Sequence, residues 1–239
     1  MNIDPWIWTK QNALEKDFCK HLIDKFEEST DLQFEGLTVG GISDFKRSTD
    51  LIVTNTPGWQ EEQRILHNVL TVQLEKYLDH IARSFLPKEI IIDIKGQDRE
   101  FYSNGHQIQK TVANDGYYHW HHDALSNSQY YRVLTYLFYL NDVKEGGETE
   151  FINGVKVKPQ TGKLLIFPAT MTYYHRGVQP VSNTKYISIG WMSAISDDIR
   201  MGYVDEVKPE EQDAADNSHY IDYTSPKENE DLSNTFFLS

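Results

Sequence analysis

The chain has a single cysteine, Cys19, among its 239 residues. One thiol can form neither an internal disulfide nor a sulfur-based zinc site, so a disulfide scaffold and a zinc finger are excluded and a reducing compartment is expected. No stretch approaches the roughly 18 apolar residues of a membrane-spanning helix. The opening residues, with Asp4 and Lys10 around Trp6, Ile7 and Trp8, lack the apolar run of a signal peptide. A cytoplasmic protein with no membrane partner is the expectation. Positive charge is scarce as well: 23 Lys and Arg stand against 36 Asp and Glu, a formal charge of -13. Such a surface repels a phosphate backbone, so nucleic acid is not an expected partner and a basic peptide is the better electrostatic match.

What is present is globular material. Hydrophobic residues make up 39%, charged residues 25% and aromatics 13%, enough for a sizeable core in one elaborated domain. From Asp205 onward ten acidic residues face only Lys208 and Lys227, so more than half of the acidic excess sits at the end of the chain. The expected division is one domain over residues 1–204 and an acidic tail or arm over 205–239, with the tail dispensable for core folding.

Two helical stretches precede a region of different texture. Residues 12–28 place Leu14, Phe18, Leu22, Ile23 and Phe26 at helical steps. A longer helix carries Leu66, Val69, Leu70, Leu74, Tyr77, Leu78, Ile81 and Phe85, with Thr56 as its expected cap and Pro57 in its first turn. Between them, residues 32–55 read as loop, edge strand and a possible cover. Short apolar runs then recur at residues 90–94, 107–112, 133–140, 151–152, 164–167 and 186–191, the beat of an all-β core. Helical support thus spans about 12–88 and the β core about 90–195. Asn153-Gly154 between apolar pieces predicts a two-residue hairpin with positive φ, and Lys144-Glu145-Gly146-Gly147 predicts another reversal.

The chemistry concentrates in Tyr117-Tyr118-His119-Trp120-His121-His122-Asp123. On a strand, alternation puts His121 and Asp123 on one face and His122 on the other. His119 shares the parity of His121, so alternation alone leaves the ligand pair open. A third ligand must come from elsewhere, and His175 is the candidate. Two imidazoles and one carboxylate form the set that leaves open positions on Fe(II) for an oxidant and a chelating cosubstrate. In Lys185-Tyr186-Ile187-Ser188-Ile189-Gly190-Trp191, alternation puts Lys185, Ile187, Ile189 and Trp191 on one face. If that face lines the interior, a buried ammonium needs an anion, and Thr135 and Tyr139 offer hydroxyls beside it. A small carboxylate would satisfy all three.

From Gln107 to Met192 these residues resemble the prolyl 4-hydroxylase-like branch of the 2-oxoglutarate- and Fe(II)-dependent oxygenases. The resemblance rests on an ordered set: Tyr118-His119-Trp120-His121-His122-Asp123, Arg132-Val133-Leu134-Thr135, Tyr139-Leu140-Asn141, Gly146-Gly147-Glu148-Thr149, His175, and Lys185 ten residues later. It implies a mainly β fold with supporting helices, a double-stranded β-helix (jelly-roll, cupin-like) core packed on N-terminal helices. It implies iron held by His121, Asp123 and His175, and 2-oxoglutarate held by Lys185 with Tyr139 and Thr149. Tyr118, Arg132 and Trp191 match positions around a substrate proline. The implied reaction is hydroxylation of peptidyl proline at C4 with O2, yielding succinate and CO2, with ascorbate as an accompanying reductant. Two other functions compete: a related oxygenase acting on another side chain or a small molecule, and a noncatalytic barrel that binds a peptide or small acid. One departure stands out, for where the family usually has an Arg-Tyr pair this chain has Lys110-Thr111. A hydroxyl contact to the cosubstrate is therefore expected to be shortened or lost.

Overall fold

The computed structural model describes residues 4–38, 41, 44–85, 101–124 and 130–195. The expected strand at 90–94 and the acidic tail lie outside the described residues.

Helix α1 covers Lys16–Glu28 and buries Cys19, Leu22 and Phe26. It begins four residues later than the apolar spacing suggests. Asn12 adopts φ 51°, and the amides of Ala13 and Leu14 both donate to the carbonyl of Gly162, at 2.7 and 3.1 Å. That contact holds the segment in a turn against the β core. Gly162 has φ 76°, and a Cβ there would lie 2.2 Å from the Leu14 carbonyl oxygen, so only glycine fits. Helix α2 covers Gln60–Phe85. Thr56-Pro57-Gly58 forms a separate turn before it rather than its cap and first turn: the Thr56 hydroxyl bonds back to the Ile52 carbonyl, and Gly58 takes φ 85°. Leu66, Leu70, Leu74, Tyr77 and Ile81 recur every three or four residues and are all buried.

The strands are β1 (Trp8–Lys10), β2 (Phe34–Glu35), β3 (Lys46–Arg47), β4 (Thr49–Ile52), β5 (Phe101–Ser103), β6 (Gln107–Thr111) and β7 (Tyr117–His121). They continue as β8 (Tyr130–Tyr139), β9 (Thr149–Phe151), β10 (Lys156–Val157), β11 (Leu164–Pro168), β12 (His175–Gly177) and β13 (Lys185–Ile195). Among the described residues they form a large sheet in the order β1-β11-β8-β13-β6-β4-β2, with β5 also on β13, and a small sheet in the order β10-β9-β12-β7-β3. The pairings are antiparallel in both, giving the double-stranded β-helix, or jelly roll. Segment 32–55 is more than loop and edge. Its β4 lies inside the large sheet between β6 and β2.

Alternation along three strands builds two cores at once. Tyr136 and Phe138 of β8, Leu164 and Ile166 of β11, and Met192 of β13 pack against the helices. Leu137 and Tyr139, Leu165 and Phe167, and Ile187 and Ile189, from the same strands, pack between the two sheets with Phe151 and Val157. A strand covered on both faces is apolar at most positions, which is why these segments read as short hydrophobic runs, with Thr135 and Ser188 as buried polar exceptions. The Asn153-Gly154 hairpin is one residue longer than expected. Phe151 donates to the Val155 carbonyl and only Gly154, not Asn153, has positive φ, so three residues close the loop with glycine at the left-handed position. At the other reversal, Gly146 pairs with Pro180.

Between α2 and the large sheet lies His106, 2% exposed, its ring 5.4 Å from Tyr136, and neither ring nitrogen has a partner. Burial takes its pKa down to about 3, and burial takes His67 down to about 4. The folded state thus keeps both neutral while the unfolded chain protonates near 6.5. Stability from this source is full above about pH 6.5 and falls as pH drops toward the folded values. Between pH 7.5 and 5.0, wild-type protein is expected to lose about 2 kcal/mol more than His106→Phe, measured by urea unfolding. Equal losses would contradict this.

Candidate metal centre

Strand β7 does not pair evenly with β12. His121 stands opposite His175, and Tyr118 stands opposite Gly177, so β7 carries one residue more than its partner between these two points. This bulge resets the alternation. Tyr118 and His121 both turn to the space between the sheets, where their rings stack at 3.6 Å. His119, which simple parity would have grouped with His121, is exposed and packs on Phe45 and Tyr117. His122 turns to Tyr174 instead, at 5.0 Å.

His121, Asp123 and His175 each offer one donor atom, and these atoms lie within 4.8 Å of one another. The Nε2 atoms of His121 and His175 are each 3.6 Å from an oxygen of Asp123, too far for a hydrogen bond. Their Nδ1 atoms lie 2.7 Å from the His119 carbonyl and 3.1 Å from the Tyr173 carbonyl. A proton on each Nδ1 satisfies those carbonyls and leaves both Nε2 lone pairs facing the carboxylate. The Thr135 hydroxyl donates to Asp123 at 2.7 Å. Burial and the adjacent His175 push the His121 pKa down to about 4. Burial pushes the Asp123 carboxyl upward, but His175, His121, Thr135 and Arg132 outweigh it and hold Asp123 below the usual carboxylate range. The Nε2 atoms of two imidazoles and a carboxylate therefore converge on one point. A divalent cation such as Fe(II) fits that donor set.

The walls of the same space come from the inter-sheet core. Phe151 and Phe167 pack on His175 at 5.8 and 4.8 Å. Lys185 is 4% exposed, and its ammonium donates to the Gly147 carbonyl at 3.2 Å. No carboxylate pairs with it among the described residues. Burial lowers its pKa to about 8, with Glu148 pulling the other way. A Cβ at Gly177 would lie 3.6 Å from this ammonium and 3.4 Å from the Cβ of Tyr118, so glycine leaves room between the two side chains. The buried Tyr139 hydroxyl donates to Thr149 Oγ1 at 2.7 Å. Thr111, where the resemblance led to a missing tyrosine, stands beside Lys185 on β6.

Arg132 lies 3.8 Å over the Trp191 ring, and Trp191 neighbours Thr135 across β13 and β8. The stacked pair thus sits next to the threonine that holds Asp123. The Trp191 indole N–H is buried and has no hydrogen-bond partner among the described residues. Tyr139 and Trp191 thus pack in the inter-sheet core whose Phe151 and Phe167 contact His175, and Arg132 joins it through Trp191. Missing from the residues singled out in the sequence is an ion pair beside Tyr118, Lys46 with Asp50. Its only sequence signal is two charged residues in a short β-branched stretch.

Residues 106–193 match the model of the 2OG-Fe(II) oxygenase superfamily. No curated protein sequence matches the chain. Among solved structures the chain is similar to a prolyl hydroxylase from Trichoplax adhaerens in complex with a hypoxia inducible factor oxygen degradation domain peptide fragment, with TM-score 0.61 and 14% identity over 84% of this chain and 88% of that one. It is also similar to a viral collagen prolyl hydroxylase from Paramecium Bursaria Chlorella virus-1 in its 2OG complex, with TM-score 0.54 and 17% identity over 79% and 96%. A third is a Pseudomonas putida prolyl-4-hydroxylase, with TM-score 0.53 and 15% identity over 78% and 91%. The match to the 2OG-Fe(II) oxygenase superfamily thus covers the β core over residues 106–193, and the chain shares its fold with prolyl hydroxylases.

Proposed function

We propose that the chain is a 2-oxoglutarate- and Fe(II)-dependent oxygenase that hydroxylates a peptidyl proline at C4. The observation that carries the proposal is the donor set His121, Asp123 and His175 with the buried Lys185 ammonium beside the Tyr118 that stacks on His121, an ammonium that no carboxylate pairs among the described residues. His121, Asp123 and His175 would hold Fe(II). Bound iron supplies the redox chemistry by which O2 decarboxylates 2-oxoglutarate to succinate and CO2 and a substrate C–H is oxidised.

The chain's own residues do the rest. Lys185 neutralises the far carboxylate of 2-oxoglutarate, and the hydroxyls of Tyr139 and Thr149 complete its polar contacts. Leu137, Ile187, Ile189 and Phe167 exclude water from the same space, which strengthens each charged contact. Thr135 keeps Asp123 ionised and oriented. The proline-binding part of the proposal rests on Tyr118, Arg132 and Trp191. Trp191 offers a flat apolar wall for a pyrrolidine ring, its indole N–H can donate to a peptide carbonyl, and Arg132 braces the ring from above. The neighbour with a bound peptide supports a peptide substrate. Ascorbate dependence belongs to the same proposal.

Asp123→Ala is expected to abolish succinate formation from 2-oxoglutarate, because it removes the anionic ligand. Retained turnover would contradict the ligand set. Lys185→Ala is expected to raise the 2-oxoglutarate requirement on the order of tenfold to a hundredfold, the size of a charge-assisted hydrogen bond. In wild-type protein the same requirement should rise as pH passes about 8, where the Lys185 ammonium loses its proton. A titration unchanged by the substitution and flat across that pH range would sink the role of Lys185. Arg132→Ala and Trp191→Ala are expected to depress hydroxylation of proline peptides strongly, followed by mass gain of one oxygen. Slow conversion of 2-oxoglutarate without peptide should persist in both. Full peptide activity in both variants, or wild-type action on free metabolites alone, would remove the prolyl assignment and leave the broader oxygenase.

A further inference from the structure

The Lys46–Asp50 pair is buried beside the candidate site, the two side chains 4% and 0% exposed. Asp50 is saturated with donors. Its Oδ2 accepts from the Lys46 ammonium at 2.5 Å, from Gln107 at 2.7 Å and from Gln109 at 3.4 Å, and its Oδ1 accepts from the Ser48 hydroxyl at 2.7 Å. The pair is also closed over. A Cβ at Gly36 would lie 2.9 Å from the Lys46 Cε and 3.1 Å from its ammonium, so the backbone of residue 36 passes where no side chain fits. Gly36 is tied down there by a 2.9 Å bond from its amide to the Ser48 carbonyl.

A buried ion pair is weak evidence of stability, because desolvation offsets most of the attraction. What this one does is hold an ammonium in one place. Lys46 stands opposite Tyr118 in the β3–β7 register, and its ammonium lies 5.5 Å from the centre of the Tyr118 ring. The same ring stacks on the His121 imidazole at 3.6 Å and 16° between planes. The contacts run Asp50, Lys46, Tyr118, His121. A cation held against an aromatic ring restricts where the ring sits, and groups beyond the ligands themselves orient a ligating imidazole.

We propose that Lys46 and Asp50 are positioning residues, which fix the Tyr118 ring and through it the His121 imidazole. The proposal deepens the functional reading above and rests on His121 as a metal ligand. It concerns the readiness of the donor set for metal, so it can be measured without turnover.

The test is a titration of the full chain with Co(II) alone, followed by calorimetry and by visible absorption. Lys46→Met combined with Asp50→Asn removes both charges together and leaves no lone buried ion. This double variant is expected to melt cooperatively, to bind Co(II) about tenfold more weakly than wild type and to show a changed absorption band. Lys46→Arg, which keeps the cation over the ring, should stay within about twofold. In a Tyr118→Leu background the double substitution should change neither reading further, an outcome that loss of general stability would not produce. If the double variant does not melt cooperatively, Lys46→Met alone carries the same comparison, since Asp50 keeps Ser48, Gln107 and Gln109 as donors. His121→Ala separates the two levels. Wild type that takes up no Co(II), or His121→Ala that binds it as wild type does, overturns the ligand assignment and this proposal with it. Wild type that responds to His121→Ala but keeps its affinity and spectrum in the folded Lys46 and Asp50 variants overturns this proposal alone.

Discussion

One extra residue in β7 relative to β12 decides which side chains meet between the sheets. Without it, alternation would turn either Tyr118 or His121 outward, and the partner of Asp123 and His175 would be lost from the cluster. With it, Tyr118 and His121 share the interior, His119 faces solvent, and three acceptor atoms gather within 4.8 Å. The rest of the small sheet supports this arrangement. β12 delivers His175 opposite His121, and the bends on either side place the carbonyls of His119 and Tyr173 against the two Nδ1 atoms. Strand, bulge and carbonyl together set tautomer and direction.

Each sheet also contributes a buried cation, Lys185 from β13 of the large sheet and Lys46 from β3 of the small one, and the two differ in one respect. Lys46 has its own carboxylate in Asp50, whereas among the described residues Lys185 bonds the carbonyl of Gly147 and no carboxylate. A paired charge of this kind is satisfied without a ligand. An ammonium with spare donors in a space of low polarity favours an anion, and its pKa of about 8 reflects the burial that makes it do so. The contrast separates the proposed carboxylate site at Lys185 from the proposed positioning role of Lys46.

Much of this was legible in the residues. The short apolar runs of β8, β11 and β13 announced a β core, and alternation placed Lys185, Ile187, Ile189 and Trp191 together. The jelly roll followed from a resemblance carried by an ordered set of motifs around His121, Asp123, His175 and Lys185. The bulge was not legible, because it is a property of two strands in register and leaves no local mark in β7. Parity therefore left His119 level with His121, and only the resemblance separated them. The start of α1 was lost for a similar reason: Leu14 has helical spacing, but its amide is claimed by Gly162, a residue distant in sequence. Asp50 and Lys46 were hidden in a stretch read as loop, since strands of two and four residues carry too few positions to show a period.

The account stands on one claim, that the inter-sheet space takes a divalent metal and a dicarboxylate together. Anaerobic addition of Fe(II) and 2-oxoglutarate to the protein, followed by visible absorption, tests it most directly. A weak charge-transfer band that requires both additions, and is lost in Asp123→Ala, is the predicted result. No band with both present, or a band that survives in Asp123→Ala, would contradict the claim.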